Sequence, residues 1–139
     1  MLWQSRMICA TASAGKWASL SIIAGLSSLG GQKQNHMNAH PYGCNGYLSA
    51  FITFKPDIAH RYWSAIQAND ISTAATVIRD FDIPFFNLIS SMPGGFDAGI
   101  HGVLELFGIC KRWRRLPYYS LNDREMEILA DGLKRIGIM

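Results

Sequence analysis

Apolar residues in the second half of the chain recur at the intervals of amphipathic helices. They repeat three and four residues apart in residues 58–66 and again in residues 71–78. Pro56 suits the first turn of a helix, and Asn69 and Asp70 suit the end of one helix and the N-cap of the next. The pattern therefore predicts one helix that begins near Pro56 and a second that begins after Asp70.

A proline interrupts the apolar run that follows. Residues 81–89, FDIPFFNLI, are strongly apolar, and Pro84 predicts that a helix begins or kinks there. Residues 90–95, SSMPGG, break the pattern. After the break, a helix is predicted over residues 97–110, with Ile100, Val103, Leu104 and Phe107 facing inward.

Two glycines fall inside that last predicted helix. Gly99 and Gly102 each cost helix propensity, so a neighbouring element should approach the helix closely there. The closing helix has clear terminal signals, because Asn122 and Glu125 have the spacing of a capping box and Gly137 follows the last apolar position. Its apolar stripe consists of Met126, Leu129, Leu133 and Ile136.

One stretch has the pattern of a buried strand instead. Residues 43–56, GCNGYLSAFITFKP, begin with a glycine-rich turn, continue as an apolar run rich in aromatic and β-branched residues, and stop at a proline. This pattern predicts a strand over about residues 46–54, buried on both faces as in a parallel sheet. Such a strand needs partners, and the chain supplies few other strand candidates.

The first 42 residues give weaker signals. Residues 7–11 are a weak strand candidate, residues 16–29 have helical spacing, and residues 32–41 have neither period nor apolar content and are predicted to be a loop. A signal peptide or anchor is the alternative for residues 17–29. We expect no membrane association, because this stretch is too short and polar to span a bilayer and no cleavage site follows.

Composition sets broad limits on function. The chain has 139 residues, of which 49% are hydrophobic and 17% charged, an ordinary balance for one globular domain. The net charge of +3 does not by itself call for nucleic acid. Three widely separated cysteines (Cys9, Cys44 and Cys110) indicate free thiols and a reducing compartment, so a cytoplasmic location is predicted.

Two clusters carry candidate chemistry. His36, His40 and Cys44 are spaced four apart and would suit zinc on one helix, but Pro41 interrupts that helix, so no metal is expected. The basic–aromatic turn, residues 111–119 (KRWRRLPYY), has the composition of a phosphate- or base-binding segment. The alternative interpretation is purely structural: a solvated turn in which Trp113 is packed inside and arginines pair with acids. Glu105 and Asp123 are the candidate partners.

An ordered set of motifs resembles the C-terminal part of the dihydrodipicolinate synthase / N-acetylneuraminate lyase family. The resemblance covers about Gly43 to Met139 in order and at matching intervals. No single motif is diagnostic, but the set is specific. It consists of GCNGYLS, Pro56, Trp63, Asn69-Asp70, a Pro-Phe-Phe run, GGFDA, and LPYYSLND ahead of a helix that ends at Gly137.

The resemblance implies an α/β fold, an incomplete TIM (β/α)8 barrel that is mostly α-helical in this chain. Residues 1–55 would be the remnant of the barrel, with residues 46–54 as its last strand, and residues 56–139 the C-terminal helices. The implied activity is that of a class I aldolase or lyase on pyruvate or another 2-oxo acid, through a lysine Schiff base and with no cofactor. The family also implies a homo-oligomer and no nucleic-acid partner.

The family's catalytic residues are not found in this chain. Thr11 stands where the Schiff-base lysine is expected, Lys16 falls later, and the tyrosine and the carboxylate-binding threonines would precede Met1. By resemblance, Leu48 is the best match for a substrate contact, with Tyr47 and Ser49 beside it. Three hypotheses follow: part of a 2-oxo acid lyase that is truncated and inactive alone, a non-catalytic remnant, and a helical module that binds an acidic partner through the basic–aromatic turn.

Overall fold

The computed structural model describes residues 32–42, 44 and 46–139. It divides the chain into two compact units, Met1–Ala50 and Phe51–Met139. The candidates at residues 7–11 and 16–29 lie outside the described residues. The expected boundary between barrel remnant and helices at residues 55 and 56 stays a prediction.

In the first unit, a helix occupies the segment that was predicted to be a loop. Helix α1 spans Gln32–Ala39 and is followed by a 3₁₀ turn, His40–Tyr42. Lys33, His36 and Ala39 lie three residues apart on one face of α1, and all three are buried. The loop prediction is wrong because this buried face is mostly polar, which a search for apolar periodicity does not detect.

The strand predicted over residues 46–54 is not formed. Residues 46–49 are irregular, and Phe51–Phe54 form a short helix, α2, in which the Lys55 N–H donates to the Phe51 carbonyl at 2.8 Å. The described residues contain no strand and therefore no barrel. The physical reason is that a strand takes its hydrogen bonds from neighbouring strands, whereas a helical turn closes its own.

The second unit continues as a series of helices. They are α3, Pro56–Gln67; α4, Ile71–Val77; α5, Ile83–Ser91; α6, Gly95–Leu106; and α7, Asp123–Ile136. A π-helical segment, Ile78–Asp82, joins α4 to α5 without a break. The segment is explained by Pro84, which lacks an N–H and crowds the preceding turn, so the chain widens there.

Several predicted helix ends are confirmed, but the helix predicted over residues 97–110 begins at Gly95 and already ends at Leu106, where Gly108 follows with a positive φ of 73°. Pro56 lies in the first turn of α3, and the Asp70 side chain caps α4 by accepting a hydrogen bond from the Thr73 N–H at 3.0 Å. Asn122 and Glu125 form the capping box of α7. Gly137 then ends α7 with φ at 78°, a left-handed conformation that glycine adopts without strain.

Aromatic side chains fill the core of the second unit. Phe51 and Phe85 are fully buried with ring centroids 4.7 Å apart, and the Phe54 ring lies 5.4 Å from Phe85 and 5.2 Å from Phe107. Phe86 is also buried, and Trp63 is half-buried. This cluster joins α2 to α5 and to the end of α6.

Helices α5, α6 and α7 pack on one another, and α5 and α6 approach closely at Gly99. A Cβ atom built at Gly99 would lie 2.5 Å from the carbonyl oxygen of Ile89. At Gly102 a Cβ atom would lie 2.7 Å from side-chain carbons of both Leu121 and Leu129. The predicted close packing at Gly99 and Gly102 is confirmed.

We therefore expect Gly99→Ala to destabilise the protein, although alanine is the better helix former. The new methyl group meets backbone that cannot move aside, so the expected loss is about 2 kcal/mol of unfolding free energy, measured by urea denaturation. Gly132→Ala is the matched control, because its methyl group meets only the side-chain carbons of half-buried Leu88, which can shift. A control change as large as that of Gly99→Ala would contradict this explanation.

Candidate functional site

The three predicted substrate contacts lie in the irregular segment of residues 46–49. Leu48 is 60% exposed and Tyr47 is half-buried. The Ser49 hydroxyl oxygen is buried and has no hydrogen-bond partner among the described residues. Thr11, at the expected lysine position, lies outside the described residues.

Tyr47 packs against a pair of histidines in the first unit. The centroid of the His36 ring lies 5.1 Å from that of Tyr47 and 5.5 Å from that of His40. Burial, and after it the neighbouring His40, lowers the pKa of His36 to about 4. His36 is therefore a neutral imidazole at neutral pH. Its burial was not predicted, because the surrounding sequence has the composition of a loop.

Cys44, which is spaced like a third zinc ligand after His36 and His40, makes other contacts. The Cys44 thiol donates to the carbonyl oxygen of Gly46 at 3.2 Å, and the His40 Nδ1 lies 3.3 Å from the Cys44 carbonyl oxygen. No group of three or more metal-ligating side chains comes together within the part of the chain that the structure describes. Neither Cys44 nor Cys110 forms a disulfide with another described residue.

In the second unit, Arg112 fixes the basic–aromatic turn to two helices. Its guanidinium contacts Glu105 of α6 at 3.1 Å and Asp123 at the start of α7, and its backbone N–H donates to Glu105 at 2.6 Å. The predicted pairing of an arginine with these two acids is confirmed. The predicted burial of Trp113 is wrong, because the residue is 65% exposed. The Arg112 guanidinium carbon lies over one face of its ring, 4.6 Å from the ring centroid.

A second set of contacts holds the rest of the turn. The Arg114 backbone N–H donates to the Ser120 hydroxyl at 2.8 Å, and its guanidinium lies 4.5 Å from the Tyr118 ring centroid. The Tyr119 hydroxyl donates to Glu125 at 2.8 Å, and this bond raises the pKa of Tyr119. Because Glu125 belongs to the capping box, the turn is tied to the first turn of α7.

Comparisons with known proteins identify relatives for the C-terminal portion of the chain. A probable 5-dehydro-4-deoxyglucarate dehydratase from Allorhizobium ampelinum is 31% identical over 108 residues, 76% of this chain and 36% of the relative. Proteins of the same name are 30% identical over 108 residues in Chelativorans sp. and 29% identical over 115 residues in Acinetobacter baumannii. The chain spans little more than a third of the length of these relatives. No family model matches it.

These relatives are class I aldolases of one family, and they define the class of protein to which the chain is related. Over its C-terminal portion, the chain has homologues in the dihydrodipicolinate synthase / N-acetylneuraminate lyase family. The resemblance in the ordered motifs is thereby confirmed. Within the described residues, no helix has the length and apolar character needed to cross a bilayer.

Arg112 should contribute more to stability than any other cation of the turn. Arg112→Ala keeps the backbone N–H bond but leaves Glu105, which is four-fifths buried, without its guanidinium partner, so the expected loss is about 3 kcal/mol of unfolding free energy in urea denaturation. Arg115→Ala, at an exposed site in the same turn, should stay within about 0.5 kcal/mol of the parent. Equal losses in the two variants would show that the bridge between the helices is unimportant.

Stability should fall as the pH drops from 6.5 towards 4. In that window the unfolded chain protonates His36, whereas the folded chain, with its pKa of about 4, does not. The imidazole resonances of His36 in a two-dimensional NMR titration should report this low pKa directly. His36→Gln should remove this part of the pH dependence and His60→Gln, at an exposed site, should keep it. A His36 midpoint near 6.5 would refute the prediction.

Proposed function

We propose that the chain forms the C-terminal helical part of a lyase that acts on a 2-oxo acid, built on the family's TIM barrel. The observation that carries the proposal is the 31% identity with a probable 5-dehydro-4-deoxyglucarate dehydratase over 108 residues. In this proposal the substrate class is a 2-oxo acid such as pyruvate or 5-dehydro-4-deoxyglucarate. The enzyme would be cytoplasmic and homo-oligomeric and would need no cofactor.

The chemistry in this proposal depends on a lysine amine. A neutral amine adds to the 2-oxo carbonyl carbon, water leaves, and the resulting protonated imine withdraws electrons from the neighbouring carbon. Elimination or carbon–carbon cleavage then becomes feasible at that carbon. Because Thr11 occupies the position expected for this lysine, the chain alone should form no Schiff base and should be inactive.

Residues 47–49 would meet the substrate in the complete enzyme. The exposed Leu48 supports this assignment, and so does the buried hydroxyl of Ser49, which has no hydrogen-bond partner among the described residues, because both offer groups that a ligand could contact. Tyr47 would support the segment through its packing against His36. The role of this segment would be to bind and orient the 2-oxo acid rather than to react with it.

Fragment complementation tests the proposal. The remainder of the Allorhizobium ampelinum relative, outside the matched segment, is co-expressed with this chain and assayed with 5-dehydro-4-deoxyglucarate. We expect the pair to dehydrate the substrate and to trap pyruvate covalently on borohydride reduction, detected by intact mass. The chain alone should give neither product nor adduct, because it lacks the family's lysine at the expected place.

The relative's own matched segment serves as the positive control. An active control beside an inactive pair would contradict the proposal. Within an active pair, Leu48→Asp should raise KM by about tenfold, since a carboxylate would repel the 2-oxo acid. Ile52→Asp, at a similarly exposed apolar position, should leave KM unchanged.

A second candidate function is a helical interaction module without catalysis. The specific observation that favours it is the basic–aromatic turn, which holds Trp113, Leu116 and Tyr118 exposed on the surface. Such a function needs neither a barrel nor a lysine. Activity of the complemented pair would count against this candidate as the protein's main role.

A further inference from the structure

The turn between α6 and α7 exposes an unusual amount of apolar surface. Leu116 is 87% exposed, Trp113 65%, Tyr118 58% and Ile109 47%, all within ten residues of one another. Scattered apolar residues on a surface need no explanation, but a group of large ones marks a binding surface. We call these four side chains the apolar group of the turn.

The backbone beneath the apolar group is held in place. Arg112 bridges Glu105 and Asp123, the Arg114 N–H bonds to Ser120, and Tyr119 bonds to the capping box of α7. The exposed side chains therefore stand on a fixed scaffold. A preorganised surface loses less entropy on binding, which favours a specific partner.

The free charges beside the apolar group are positive. Lys111 and Arg115 are exposed and form no ion pair with any residue that the structure describes. The nearby acids already have partners, because Glu105 and Asp123 share Arg112, Asp97 lies 3.8 Å from Arg114, and Glu125 accepts a hydrogen bond from Tyr119. Lys111 and Arg115 are therefore the two exposed cations of the turn that remain available to pair with acidic groups of a partner.

We propose that the basic–aromatic turn, together with Ile109, is a docking surface for an acidic protein segment that carries aromatic or aliphatic side chains. Trp, Tyr and Arg are the residues that most often dominate binding energy at protein interfaces, and cations at the rim select an acidic partner. This role is independent of lyase chemistry and uses none of residues 47–49.

Other occupants fit the turn less well. Single-stranded nucleic acid is bound by free arginines and stacked aromatics, but Arg112 and Arg114 are held by carboxylates and Leu116 offers no stacking face. A second copy of the chain would bring Lys111 and Arg115 towards the same charges on its partner. An acidic segment avoids this repulsion and covers the apolar group.

The experiment uses the full chain and defined probes. Binding of a fluorescent poly(Glu,Tyr) copolymer is measured by anisotropy at low salt, with poly-Glu and a single-stranded oligonucleotide as comparison probes. We expect poly(Glu,Tyr) to bind about tenfold more tightly than poly-Glu, because only the copolymer can cover the apolar group. Added salt should weaken binding of both polymers.

Variants with matched controls locate the surface. The double variant Lys111→Glu/Arg115→Glu should lose tenfold or more in affinity for poly(Glu,Tyr). Lys134→Glu/Arg135→Glu, which changes the same charge at exposed positions of α7, should lose less than threefold. Leu116→Ser should lower affinity for poly(Glu,Tyr) but not for poly-Glu, whereas Ile128→Ser, exposed on α7, should change neither.

Four results would overturn the proposal. They are equal affinity for poly(Glu,Tyr) and poly-Glu, equal loss in the two charge variants, tighter binding of the oligonucleotide, and self-association of the chain that Leu116→Ser abolishes. The first two would indicate attraction by net charge alone. The third would assign the surface to nucleic acid, and the fourth to a second copy.

Discussion

The close approach of α5 and α6 at Gly99 is the contact on which the rest of the second unit depends. Because Gly99 has no side chain, the α6 backbone packs directly against the Ile89 carbonyl of α5. The side chain of Leu129 from α7 packs against Gly102 in the same way. Side-chain packing of this kind sets the spacing between α6 and α7. That spacing brings Glu105 and Asp123 within reach of one guanidinium, Arg112, and so determines how the basic–aromatic turn is presented.

Much of the second unit could be predicted because its signals are local. Each of these signals follows from the preference of one residue for one backbone environment. Examples are the caps at Asp70 and Asn122, the break before Gly95 and the close contacts at Gly99. The arginine pairing with Glu105 was also predictable, since a buried cation needs a carboxylate. The family resemblance used these same residues in order, and the relatives confirm it.

The failures share a different cause, which is that the deciding partner lies outside the local sequence. FITF has high strand propensity, but without neighbouring strands among the described residues it forms α2. The segment with buried Lys33 and His36 looked like a loop because its buried face is polar. Trp113 looked like a core residue by composition, yet it lies beneath Arg112 at the surface. The roles of Tyr47, Leu48 and Ser49 stay predictions for the same reason.

We infer that the helices of the second unit, Phe51–Met139, fold as one cooperative unit in this chain. Amide hydrogen exchange of the full chain, followed residue by residue by NMR, tests this claim most directly. We expect the amides of Ile89, Val103 and Leu129, which are all fully buried residues, to exchange only through global unfolding and with one common free energy. Exchange of these amides as fast as that of the exposed turn would contradict it, because the helices would then not fold together in this chain.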